Sequence, residues 1–351
     1  MTDNGPTDPR GPDSPVEWIP SDLSAAPPPA PLPPARPGSS TFTIEGRASP
    51  ALFVIGWLAS LLGLAIAVAG ALGGSLLLVY FVGPGLLSIG LIAACGNQAF
   101  ERRARGAAYA GPSPFLVFGT IIAVAYFVGF VVGTLLNLVL GDTKVDPPVA
   151  QLIVGLITAI VFIGIVRLTV VGTAALSWAD MQVRRFNRRA LQDLAVGAVL
   201  AGPVVVATLI LGAILLVIFP VEPVSPLPPT GTVSGLLLQL IVGAVVAPVS
   251  EEIVFRGFAL TAWQRSIGPS RAIVRSSLLF ALAHVISIEA TSLPEAVGLI
   301  AVGIGSRLPV AFVLGWVFVE RRSIWASIGL HATFNALLLI LAHLAITAAG
   351  T

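Results

Sequence analysis

In the last third of this 351-residue chain, a few polar side chains interrupt stretches that are otherwise apolar. They are Glu251, Glu252 and Arg256 in APVSEEIVFRG, His284 in FALAH, Arg307, His331 with Asn335 in HATFN, and His343. Helical spacing sorts them. Glu252 and Arg256 stand at i and i+4 with the acid first, the favourable order for a pair on one face, and mutual neutralisation lowers the cost of burying both. Glu251 points about 100° away from Glu252. Chemistry is therefore assigned to Glu251 and structure to Glu252. His331 and Asn335 share a helix face by the same spacing, and Phe280 lies one turn beneath His284. Three helices can thus turn a carboxylate, an imidazole, and an imidazole with a carboxamide toward one interior. That set suffices for hydrolysis by water: a base takes its proton, a second group orients it, and donors stabilise the oxyanion.

The other intramembrane polar groups have plainer readings. His343 lies about 120° round its helix from His331 and is assigned to helix packing. Arg167, in VFIGIVRLTV, is read as snorkelling or pairing elsewhere, and Arg307 as a structural residue near a membrane interface. Buried carboxylates also mark proton and cation pathways. On these residues alone a transporter and an enzyme stand level.

The elements that must position these groups follow from composition. The chain is 56% hydrophobic and 10% charged, against roughly 25% charged in a soluble domain. Nine apolar segments follow residue 50, at about 50–72, 74–96, 113–140, 147–176, 193–219, 233–258, 271–288, 294–319 and 323–348. Most reach the ~20 residues a bilayer crossing needs. The fold class is all-α, a polytopic membrane bundle of eight to nine helices. In the eighth segment Arg307 and Pro309 interrupt the run, so 294–306 reads as a short or re-entrant piece. Arginines cluster in alternate loops, at 102–105, 184–189, 265–275 and 321–322, while the intervening loops hold the single lysine. The positive-inside rule then places the N-terminus in the cytoplasm and the C-terminus outside. It also puts EEIVFRG at the cytoplasmic end of a helix closing near 258.

Residues 1–48 hold twelve prolines and six acids, a composition that predicts a disordered cytoplasmic tail without signal-peptide features. No basic tract suits nucleic acid at a net charge of +2, and one cysteine, Cys95, excludes an intramolecular disulfide framework. Eighteen arginines against one lysine, with abundant Ala, Gly and Val, read as GC-rich bacterial codon usage and a plasma-membrane location.

Three ordered motifs break the tie between enzyme and transporter. Glu251-Glu252-x-x-x-Arg256, Phe280-x-x-x-His284 and His331-x-x-x-Asn335 resemble the EExxxR, FxxxH and HxxxN/D motifs of the CAAX protease and bacteriocin-processing family. These intramembrane proteases are also called the ABI or type II CAAX prenyl endopeptidase family. The resemblance covers about 233–345, leaving 49–232 as about five preceding membrane helices. It implies Glu251 as general base, His284 as its partner on the attacking water, and His331 with Asn335 at the oxyanion or carbonyl. Glu252 and Arg256 become the supporting pair, with Phe280 beside them. The implied substrate is a membrane-associated protein or peptide. Glu251, His284 and His331 would also make a His₂Glu zinc set, but HExxH is absent and Asn335 is a poor zinc ligand, so the reading favours no tightly held metal. A non-catalytic scaffold or bacteriocin-immunity protein is the main alternative, followed by a proton-coupled transporter.

Overall fold

The computed structural model describes residues 43–349 apart from 142, 144, 223–227 and 287. The tail expected over 1–48 lies almost wholly outside these residues. Every regular element among the described residues is helical. Nine helices follow in order: α1 (Pro50–Leu72), α2 (Leu78–Ala104), α3 (Pro114–Leu140), α4 (Pro147–Val171), α5 (Arg188–Ile218), α6 (Val233–Ile267), α7 (Pro269–Ala283), α8 (Leu293–Arg321) and α9 (Ile324–Ala349). Proline opens α1, α3, α4 and α7, where its missing N–H costs nothing and its fixed φ favours the first turn. All except α7 are long and apolar enough to cross a membrane.

The first two helices pack backbone to backbone. Gly56, Gly63 and Gly70, spaced by sevens, are buried along α1. A Cβ on Gly63 would stand 2.4 Å from Leu87 N and 2.7 Å from Gly83 O of α2. Without water to drive helix association, this small-residue seam supplies close van der Waals contact.

Side-chain contacts divide the helix ends into two sets. At one end Arg103 donates to Thr173 O, Arg265 Nη2 reaches Asp180 at 2.6 Å, Arg321 Nη2 reaches buried Asp193 at 2.7 Å, and Trp325 Nε1 donates to Arg184 O. At the other, Gln239 Nε2 donates to Gln151 Oε1 and Pro228 O, and His343 Nδ1–H donates to Thr230 O. His343 thus ties a loop to its helix, in keeping with a packing role, while Arg167 is exposed at the head of a π-helical stretch.

The seventh crossing departs from expectation. After the turn at Gly268, with φ +82°, α7 runs for 15 residues, about 22 Å against ~30 Å of hydrocarbon. It starts at the arginine-rich end, beside Arg265, whereas α8 starts at the opposite end and finishes at Arg321. The helix thus stops at Ala283, short of the end from which α8 begins at Leu293. Irregular backbone at membrane depth is tolerated where protein buries it or where it lines a polar site.

The eighth segment, expected to break, is instead one 29-residue helix with Pro309 inside it. Arg307 is consequently central to α8, not interfacial. The sixth segment does not end near 258 either. It continues to Ile267, which sets Glu251 and Glu252 about midway along α6 rather than at its end.

Candidate active site

Two π-helical stretches, Ile241–Val246 and Ile253–Leu260, flank the glutamate turn of α6. Pro248 supplies one cause, since it removes an N–H from the ladder. The wider winding leaves carbonyls that other helices use. Gly243 O accepts from Asn335 Nδ2 of α9 at 2.7 Å, and Phe255 O accepts from Ser276 Oγ of α7 at 2.8 Å. All eight residues of the second stretch are buried, so Arg256 is held rigidly in the core.

Glu252 and Arg256 are both fully buried and pair at 2.9 Å, as their spacing predicts. Arg256 Nη2 also donates to Ala311 O of α8 at 3.1 Å, and its guanidinium carbon lies 4.5 Å from the centre of the Phe280 ring. The same Glu252 oxygen accepts a second bond, from His331 Nδ1–H at 2.8 Å. This bond fixes the ring orientation of His331 and leaves its Nε2 facing the site.

His284 follows the last turn of α7. Its Nδ1 lies 2.8 Å from Phe280 O, and since a carbonyl only accepts, Nδ1 carries the proton. Nε2 of His284 is therefore also free. Both Nε2 atoms face one oxygen: Glu251 Oε2 is 3.9 Å from that of His284 and 3.8 Å from that of His331. Phe280 holds the two imidazoles apart, with ring centroids 4.5 Å from His284 and 5.6 Å from His331, and Phe255 packs edge-on against it at 5.2 Å. Glu251 and His284 side chains keep 20% and 24% of their surface exposed, whereas His331 keeps 4%. Glu251 and His284 thus border accessible space, while Glu251 Oε2 itself points inward.

The structure thus gathers Glu251, His284, His331, Glu252, Arg256 and Phe280. Asn335 stands nearby with one N–H committed to Gly243 O. As placed, the three prospective metal ligands do not fit zinc. Tetrahedral ligand atoms at about 2.0–2.1 Å from the ion lie roughly 3.4 Å apart, less than either separation here. No group of three His, Cys, Asp or Glu among the described residues is set to hold a metal. The spacing suits one bridging water, whose hydrogen-bond legs are about 2.8 Å.

Two contributions escaped sequence reasoning. The bond from His331 to Glu252 crosses 79 residues, and no local spacing announces it. Arg307 lies on the α8 face that meets the chain just after His284. A Cβ on Gly303 would be 2.7 Å from Val285 Cγ1 and 3.7 Å from Arg307 Nη1. An arginine within an apolar segment was the available signal, masked by reading Pro309 as a helix end.

Residues 233–337 match the family described as Type II CAAX prenyl endopeptidase Rce1-like. This stretch is a CAAX-endopeptidase domain. The match begins with the first residue of α6 and takes in Glu251, His284, His331 and Asn335. Membership implies an intramembrane protease whose substrate is a protein in the membrane. No curated protein and no solved structure matches the chain.

Proposed function

We propose that the CAAX-endopeptidase domain hydrolyses a peptide bond of a membrane-associated protein or peptide with a water activated by Glu251. The observation carrying this reading is the convergence of two imidazole Nε2 atoms on Glu251 Oε2, at 3.8 and 3.9 Å. A proton relay would tolerate these groups strung along a path. Their meeting at one oxygen favours a single reacting water.

Proton bookkeeping fits hydrolysis. With both Nδ1 atoms protonated, Glu251 and the two Nε2 atoms are three acceptors, and one water can donate to only two of them. Glu251 and the more exposed His284 take those two. The bond from Nδ1–H to Glu252 aims His331 Nε2 at the substrate carbonyl, to which it donates when it carries a proton. Asn335 retains one amide N–H for the same carbonyl. Attack transfers the water proton to Glu251, the hydroxyl oxygen bonds the carbonyl carbon, and the leaving nitrogen takes the proton as the C–N bond breaks.

The arginine-rich ends of the helices are assigned to the cytoplasmic side. The test compares membrane-peptide termini in cells carrying wild type or Glu251→Gln at equal abundance. Termini lost in the variant identify the substrates and support catalysis. An unchanged set, with the deletion phenotype still rescued, would favour a scaffold.

A further inference from the structure

Four formal charges meet in this part of the bundle: Glu251, Glu252, Arg256 and Arg307. Glu252 and Arg256 neutralise each other at 2.9 Å, which leaves Glu251 and Arg307. These two stand on facing helices, α6 and α8, and interact electrostatically without an ion pair among the described residues. Arg307 also interacts electrostatically with His284. Its one hydrogen bond among the described residues is local, from Nη1 to Gly303 O at 2.8 Å. Guanidinium has five N–H donors, so most of them are uncommitted.

The position is costly for a structural arginine. Arg307 is midway along the 29-residue α8, about 21 Å from either end, too far for a side chain to carry its charge to an interface. Ionisable groups at such depth pair, line polar space, or serve a site. Arg307 shares a face with Gly303, and that face packs on Val285, the residue after His284. Arg307 therefore lies on α8 between Gly303, which meets the chain just after His284, and Ala311, whose carbonyl accepts from Arg256. Asn335, the donor expected from the motif, has already given one N–H to Gly243 O.

We propose that Arg307 is a further catalytic residue, whose guanidinium stabilises the tetrahedral oxyanion formed by the Glu251-activated water. The assignment rests on the hydrolytic reading above. As the hydroxyl oxygen bonds the carbonyl carbon, the C=O π pair moves to oxygen, and the water proton passes to Glu251. Negative charge thus leaves the carboxylate with which Arg307 interacts electrostatically and appears on one oxyanion. The count of buried charges stays constant along the step, and the stabilising dipoles are in place beforehand.

The test uses the full chain in proteoliposomes with a quenched fluorescent peptide spanning a cleavage site mapped from cellular termini. The peptide is made as the free acid and as the C-terminal amide. Removing one oxyanion donor lowers kcat about 10²–10³-fold. Arg307→Gln should show a loss of that order on both peptides with KM changed less than about threefold, while Arg307→Lys retains an intermediate kcat. Glu251-dependent cleavage that survives Arg307→Gln overturns the assignment alone. So does a loss confined to the free acid, which would make Arg307 a reader of the substrate carboxylate. Equal inactivity of both variants with a lowered unfolding temperature makes the residue structural. Cleavage that persists in Glu251→Gln removes the hydrolytic reading and this assignment together.

Discussion

The two adjacent glutamates should separate stability from activity. Glu252 is fully buried and one of its oxygens accepts from Arg256 at 2.9 Å and from His331 at 2.8 Å. Glu252→Gln keeps the shape but strands the Arg256 guanidinium, which has no surface exposure. Removing one member of a buried pair costs about 3–5 kcal/mol. At roughly 2–4 °C per kcal/mol for a chain of this order, the unfolding midpoint should fall by about 10 °C. Glu251 differs: its inward oxygen has no hydrogen-bond partner among the described residues. Glu251→Gln should therefore shift the midpoint by less than about 2 °C, equivalent to under ~1 kcal/mol, while removing the base. The lone thiol, Cys95, is completely buried, so a maleimide dye that fluoresces on coupling reports unfolding in detergent at one site. Comparable midpoints for wild type and Glu252→Gln would refute the structural assignment. A large drop in Glu251→Gln would refute the division of labour.

Further substitutions probe the supporting contacts. A Cβ on Gly329 would stand 2.2 Å from Leu194 O of α5, so Gly329→Ala should push α9 outward, cost about 1–3 kcal/mol and displace His331. Because a misplacement near 1 Å can cost about 10²-fold in rate, cleavage should fall far more than the folded fraction. Ser276→Ala removes the bond to Phe255 O and should lower stability by about 1 kcal/mol, read as a small drop in the thiol-dye midpoint. In the loop before α5, the Ser177 N–H, then the Ser177 hydroxyl and Arg265, hold the Asp180 carboxyl below its ordinary range. That stabilisation is present above the unfolded carboxylate value near 3.9 and is lost as pH falls through the lower folded value. The stability difference between wild type and Asp180→Asn should accordingly persist at neutral pH and vanish in strong acid.

The sequence was most informative where spacing alone decides geometry. Glu252 with Arg256 is an i, i+4 relation within one helix, and the structure holds that pair at 2.9 Å. Helical class and most span positions follow from apolar length, which a bilayer constrains strongly. Breaks were harder to place. Pro309 looks like a helix terminus, yet α8, packed on α5 and α7, runs through it; 271–288 looks like a full span, yet helix ends at Ala283. Proline raises the cost of a helix locally, and packing decides whether that cost is met. Contacts of long sequence separation, such as His331 with Glu252 or Asn335 with Gly243 O, had no local signature. The π stretches that free those carbonyls were equally silent.

The central claim is that Glu251 activates the water. Its most direct test is single-turnover cleavage of a mapped substrate peptide by the purified full chain in proteoliposomes, wild type against Glu251→Gln, matched for folded protein by the Cys95 signal. The account predicts that the variant binds the peptide with an affinity within a few-fold of wild type, yet cleaves it at least about 10²-fold more slowly, the scale expected for a general base. Cleavage at the wild-type rate by folded Glu251→Gln would contradict it.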